Sequence, residues 1–198
     1  MKDISRDHPL RKLFRGVTQN AFRFNQELHT GAIEEYFSDW LLVRFVHSDN
    51  LWKIRNARGR RLSDVAGMLA GGIPHTKSQE RELALHQHIG DYLLFMVGLF
   101  PDGLARAAGL PGSPDGLLVK VGALFHPCAS PMDFYIHQGQ ASYRKASEFM
   151  RGLSEETAGV LARLSEEFTS YVNVMGLIRL NLESFSFFRD MKGLMGSA

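Results

Sequence analysis

Apolar residues recur along this chain at alternating spacings of four and three, the period of one face of a helix. Leu10, Phe14, Val17, Ala21, Phe24 and Leu28 form one such seam, and Leu85, Ile89, Tyr92, Met96 and Leu99 form another. The longest is Leu161, Leu164, Phe168, Tyr171, Met175, Ile178, Leu182 and Phe185. Ser154 followed by Glu155 and Glu156 supplies an N-cap and two carboxylates that suit a helix N-terminus, so the pattern predicts a single helix of about eight turns. Ser130-Pro131-Met132-Asp133 opens a further helix to about Met150 by the same capping logic. Its apolar stripe of Met132, Tyr135, Gly139, Ser142, Ala146 and Phe149 has small residues at its centre, which permit close approach of a neighbour.

A second helix is predicted from about Ala32 to Ser48. Its seam begins with Ile33, Phe37 and Trp40 and continues at the same spacing with Arg44 and His47, inside an otherwise apolar turn. A guanidinium thus stands where a core residue belongs and needs a carboxylate, an anion or a wet cavity. Asp91 is the natural partner: nine apolar or glycine residues follow it, so it lies in a stretch too apolar to leave it solvated. His88 stands three residues before it, on adjacent helix surface. Arg44, His47, His88 and Asp91 are therefore expected to form a buried polar cluster. It is either a structural network or a pocket for an anionic ligand.

Gly71-Gly72-Ile73-Pro74-His75 and the run from Gly109 to Gly116 are breakers, the second a strong surface-loop signal; Leu117 to Phe125 reads equally as a short strand or a helical turn. No repeat, low-complexity tract or long linker divides the chain. The expectation is all-α: one domain over residues 1–198, a bundle of about five main helices with short extras. His88-Ile89-Gly90-Asp91-Tyr92 with the residues up to Pro101, and Gln138-Gly139-Gln140-Ala141-Ser142-Tyr143 with those up to Ser147, resemble stretches of an uncharacterised group of bacterial all-helical proteins. The resemblance implies a bacterial origin and transfers no activity.

Composition narrows the partners. With 44% hydrophobic and 22% charged residues the chain belongs to the ordinary globular class, and a net charge of +2 creates no field that would draw nucleic acid or an anionic membrane. The single cysteine, Cys128, excludes an internal disulfide and suits a reducing cytoplasm. The N-terminal residues lack the apolar run of a signal peptide, and the apolar or glycine stretch from Tyr92 to Phe100 is far short of the roughly 20 residues that span a bilayer.

Three further features bear on chemistry. Arg55, Arg58, Arg60 and Arg61, with Lys53, crowd one stretch without an intervening acid and could bind a phosphate or an acidic partner. The segment from Arg61 to Gly71 reads like the first helix of a helix-turn-helix, but no short recognition helix follows, so nucleic acid is not expected as a partner. Glu82 with His86, and Asp133 with His137, have the i, i+4 spacing that carboxylate-bridged di-iron bundles use, but Glu-x-x-His is missing, so no metal or other cofactor is expected. The apolar residues Val160, Val172, Val174, Leu177 and Leu180 widen the apolar face of the last helix and predict a homodimer. The function expected is a non-enzymatic helical bundle that binds a protein partner or a small anionic or apolar ligand. The alternative is a metal-dependent, di-iron-like enzyme or redox protein, followed by a helix-turn-helix nucleic-acid binder.

Overall fold

The structure, a computed structural model, describes residues 7–51, 53, 54, 64–71, 78–109, 112–125 and 130–196. The described residues are all-α. In chain order the helices are α1 (Pro9–Phe22), α2 (Gly31–Glu35), a π-helical segment (Tyr36–Leu41), α3 (Leu42–Phe45), α4 (Ser48–Leu51), α5 (Val65–Gly71), α6 (Gln79–Leu99), α7 (Pro101–Gly109), α8 (Pro114–Phe125), α9 (Pro131–Met150), α10 (Glu155–Glu166), α11 (Phe168–Leu182) and α12 (Ser186–Gly196), with a 3-10 turn at Gln26–Leu28.

Helix α6 is the axis of the packing. It runs along α9 and α11, α10 lies along α9, and α1 packs on α11 and on the π segment. From His88 to Phe100 every residue is buried, so this helix has no solvent face over that length. That is why its sequence reads as a continuous apolar run rather than a stripe. Most of the seams of α9 and of the C-terminal helices point inward: Tyr135, Gly139, Ser142 and Ala146 are buried, as are Leu161, Leu164, Phe168, Tyr171, Met175, Ile178 and Leu182, whereas Phe185, the last residue of the expected seam, stands exposed beyond the end of α11.

Three sequence expectations change in detail. The first seam closes early: α1 ends at Phe22, Phe22 takes the core position, and Phe24 stands 77% exposed on the turn that follows. Asn25 terminates the helix by donating its side-chain amide to the Ala21 carbonyl at 3.2 Å. The eight-turn helix is two helices. Glu167 leaves the α region, at φ −104° and ψ 25°, while backbone hydrogen bonds continue on either side of it. The deflection seats the Phe168 ring against Gly139. The 114–125 stretch is helix, not strand, and the breaker run before it gives up Pro114-Asp115-Gly116 to that helix.

Gly139 is the clearest sequence-to-packing link. A Cβ there would lie 2.3 Å from Cζ of Phe168. Gly139→Ala therefore overpacks the α9–α11 contact, and its gain in helix propensity, about 1 kcal/mol, is too small to compensate. Urea denaturation is expected to show a net loss of about 2 kcal/mol. An unchanged or raised midpoint would mean that Phe168 has room to move.

Candidate functional site: a saturated buried carboxylate

Asp91 sits in the middle of α6 with no solvent exposure. An isolated carboxylate there would be prohibitive, so the surrounding elements must supply donors. They supply four. The Tyr36 and Tyr143 hydroxyls donate to Oδ1 at 2.5 and 3.0 Å; Arg44 Nη1 and the Trp40 indole N–H donate to Oδ2 at 2.8 and 3.2 Å. Two donors on each oxygen fill the accepting capacity of a carboxylate. Gln87 donates its amide to the Tyr36 oxygen at 3.3 Å, which leaves the tyrosine proton to point at Asp91.

His88 completes the cluster. Arg44 Nη2 lies 3.3 Å from its Nδ1, and its Nε2 lies 3.2 Å from the Leu51 carbonyl oxygen. A guanidinium can only donate and a carbonyl can only accept, so Nδ1 must carry the lone pair and Nε2 the proton. The imidazole is therefore neutral, in a single tautomer. Burial and the neighbouring Arg44 charge hold its pKa down to about 3.

The electrostatics follow from burial and from one charge pair. Burial raises the Asp91 carboxyl above the ordinary range, and the Arg44 guanidinium pulls it back most strongly, followed by the Tyr36, Tyr143 and Trp40 donors. All four contacts are donors to oxygen, the set that an ionised carboxylate requires. Burial, with the Asp91 charge, pushes both tyrosine hydroxyls well above their usual value, so they act as fixed donors and not as acids. Lys53 lies at the edge, two residues beyond the Leu51 carbonyl that holds His88. Partial burial lowers its ammonium pKa, the Arg44 charge lowers it further, and Asp91 acts the other way.

Local geometry explains how one helix provides three of the four donors. Tyr36, Trp40 and Arg44 are spaced four apart, and each such step in an α-helix overshoots a full turn by about 40°. Over two steps the side chains would diverge by about 80°. The wider turn of the π segment rotates less per residue and offsets that drift, which keeps all three on the Asp91 side. Asp39 fastens the outer side of the segment to α1, accepting from Arg11 Nη1 at 2.8 Å and Arg15 Nε at 2.9 Å. Gly90 does the same service for Tyr143: a Cβ at that position would sit 2.7 Å from the tyrosine ring.

Of the four residues expected to form the cluster, Arg44, His88 and Asp91 meet. His47 does not: the helix ends at Phe45, where Asn50 donates its side-chain amide to the Arg44 carbonyl, and His47 stands half-buried on the turn beyond, its ring making no hydrogen bond among the described residues. Sequence reasoning missed Tyr36, Tyr143 and Gln87, placed Lys53 only in the basic run, and read Trp40 only as core. The available signal was the shared four-residue spacing of 36, 40 and 44.

It also missed a second buried carboxylate. Asp115 on α8 accepts from the Ala66 N–H at 2.8 Å and the Tyr135 hydroxyl at 2.9 Å, and so satisfies the start of α5 from across the fold. Burial raises its carboxyl, against the lowering effect of those donors. The breaker residues around it gave the appearance of a solvated loop.

The remaining candidates are separate. Glu82 Oε2 lies 3.5 Å from His86 Nε2; the His86 ring is buried, stacks on Phe149 and leaves Nδ1 without a hydrogen bond. Burial and then the Lys145 charge lower the His86 pKa, and Glu82 acts the other way. Asp133 and His137 lie on the outer side of α9, His137 exposed and Asp133 half-buried. Among the described residues no three His, Cys, Asp or Glu side chains converge in a set that could hold a metal ion. Arg55, Arg58, Arg60, Arg61 and Cys128 lie outside the described residues. No family model, curated protein or solved structure matches this chain.

Proposed function

We propose that the chain is a non-enzymatic helical binding protein whose Asp91 network is a structural clamp and whose ligand is a small anion taken at the edge of that clamp. Saturation of the buried acid carries this reading: Asp91 has four donors, and both His88 nitrogens are engaged. Neither group retains a site with which to take a proton from a substrate, so the cluster fixes geometry and charge instead of performing acid–base chemistry. Among the described residues an apolar ligand has little room. The cavity bordered by Phe14, Leu42, Phe95, Leu182 and Phe188 measures about 10 Å³, room for one water-sized body.

The metal-dependent alternative would use Glu82 and His86, but the Lys145 charge already disfavours a further positive charge at His86. For the nucleic-acid alternative, the helix that follows α5 among the described residues is α6, which is buried through most of its length and so cannot enter a groove. The resemblance of two segments to bacterial proteins and the single cysteine support a bacterial, cytoplasmic setting. Among the described residues no helix is long and apolar enough to cross a membrane. A homodimer would use the outer side of α11, where Leu180 is 59% exposed; Val174 is buried within the chain, and Val160, Val172 and Leu177 are half-buried against the core.

Thermal unfolding against a panel of carboxylates, phosphates and sulfates tests the reading, with NMR of each ligand before and after incubation. A saturable rise in the midpoint with the ligand unchanged is expected. No rise with any anion would overturn anion binding; chemical conversion of a ligand would overturn the non-enzymatic assignment.

A further inference from the structure

Three of the four donors to Asp91 share a property beyond hydrogen bonding. The Tyr36 and Tyr143 hydroxyls and the Trp40 indole N–H belong to side chains that are readily oxidised by one electron, and all three aim their protons at one buried carboxylate. In the resting protein they keep those protons. Loss of an electron turns a phenol or an indole from a very weak acid into a strong one, so such a side chain gives up an electron most easily where a base stands ready for its proton. Asp91 is that base for all three, since each of its contacts is a donor, the set an ionised carboxylate requires. Saturation bars Asp91 from a substrate's proton but not from this one, which already lies in the hydrogen bond.

The three side chains are not equivalent. Trp40 is 40% exposed, whereas Tyr36 and Tyr143 are buried, so an oxidant in solution meets the indole first. Arg44 lies over that ring, 5.1 Å from guanidinium carbon to ring centroid, and a cation there raises the energy of a positively charged indole. The electron vacancy therefore passes on. Tyr36 is its resting place: it stands four residues from Trp40 on the same side of the π segment, and it makes the shortest of the four contacts, at 2.5 Å. It also accepts from the Gln87 amide, a hydrogen bond that stays with the oxygen after the proton has gone. Tyr135 provides the contrast. Its hydroxyl donates to a buried carboxylate too, but the described donors to Asp115 are Tyr135 and the Ala66 N–H, with no tryptophan among them to carry oxidation in from solvent.

We propose that the Asp91 cluster is a one-electron redox site, in which Trp40 relays oxidation from a radical or other one-electron oxidant in solution to Tyr36 and Asp91 takes the proton. The step balances. The oxidant gains one electron; Tyr36 loses one electron, by way of Trp40, together with its hydroxyl proton. The O–H bond of Tyr36 breaks, an O–H bond forms on Asp91 Oδ1, and a neutral tyrosyl radical faces a neutral carboxylic acid. Protonated Asp91 no longer balances the Arg44 charge, so the radical state is high in energy and strongly oxidising. The inference does not use the anion-binding reading and fails or holds apart from it.

Photo-oxidation of the full chain by ruthenium tris-bipyridine and persulfate, followed by freeze-trapping and electron paramagnetic resonance, tests the site. A tyrosyl signal is expected. Replacing Tyr36 by 3-fluorotyrosine keeps the hydroxyl and its hydrogen bonds and is expected to add a fluorine splitting to that signal, so this arm does not depend on a variant that fails to fold. The same label in place of Tyr135 or Tyr171 is expected to leave the signal unsplit; the Tyr171 hydroxyl donates to the Leu28 carbonyl, which is no base for its proton. Trp40→Phe, made with Trp52 in place, is expected to slow the appearance of the signal at least tenfold, and heavy water is expected to slow it in the unaltered chain because the proton moves with the electron. Three results would overturn the site: no tyrosyl signal, a splitting from position 135 or 171 in place of 36, or an unchanged rate in a folded Trp40→Phe variant.

Discussion

Asp91→Asn is expected to destabilise the fold by about 3 to 5 kcal/mol, far more than an isosteric change at an exposed acid, which costs less than about 1. Asparagine keeps the shape but offers one acceptor oxygen in place of two, and an amide that can only donate. Its better orientation directs the oxygen at Arg44 and Trp40 and the amide at the two tyrosines. Tyr36 already accepts from Gln87, so its hydroxyl then meets donors on two sides. Arg44, with a side chain only 11% exposed, loses its counter-charge in either orientation. Urea denaturation at neutral pH measures the loss, and a double-mutant cycle with Arg44→Met isolates the pair. With the guanidinium already removed, Asp91→Asn should cost at least about 1.5 kcal/mol less than in the unaltered chain. A loss under about 1 kcal/mol in the single variant would mean that the network carries no stability.

The Arg44–Asp91 pair was legible in the sequence because each charge violates a local pattern: a cation on an apolar seam, and an acid at the head of a wholly apolar run. Such violations are visible without a structure, and opposite charges compensate each other. The tyrosines were not legible, because Tyr36 and Tyr143 fit their helices as ordinary core residues and a hydroxyl does not disturb a hydrophobic pattern. Trp40 was hidden for the same reason. The π segment was illegible in principle: one wider turn leaves no mark in composition, yet it decides whether positions 36, 40 and 44 share a face. His47 fails for the converse reason. Periodicity extends a seam indefinitely, whereas the real helix stops where Asn50 captures the Arg44 carbonyl. Fold class came through almost intact because periodicity is summed over many residues, while helix ends and deflections such as Glu167 depend on single contacts with distant rings.

Acid should weaken the protein earlier and more steeply than carboxylate protonation alone would do, and His88 is the cause. In the unfolded chain this imidazole takes up a proton near pH 6.5; in the folded protein it resists until about pH 3. Between those limits the unfolded state binds more protons, so stability is full above pH 6.5 and falls as the pH drops towards 3. The slope approaches about 1.4 kcal/mol per pH unit, and the whole window is worth about 4 to 5 kcal/mol. The structural reason is direct: protonating Nδ1 would set an N–H against the Arg44 N–H that it now accepts. Other buried groups modify the profile. His86, also lowered, adds to the acid loss, whereas Asp115, raised by burial, opposes it as it protonates. His88→Gln separates these contributions, since an amide donates to Leu51 and accepts from Arg44 without titrating. Denaturation midpoints measured from pH 7 to pH 4 should fall markedly less in His88→Gln than in the unaltered chain. Parallel profiles for the two proteins would show that His88 is protonated with equal ease folded and unfolded, and would remove the basis for a neutral imidazole beneath Arg44.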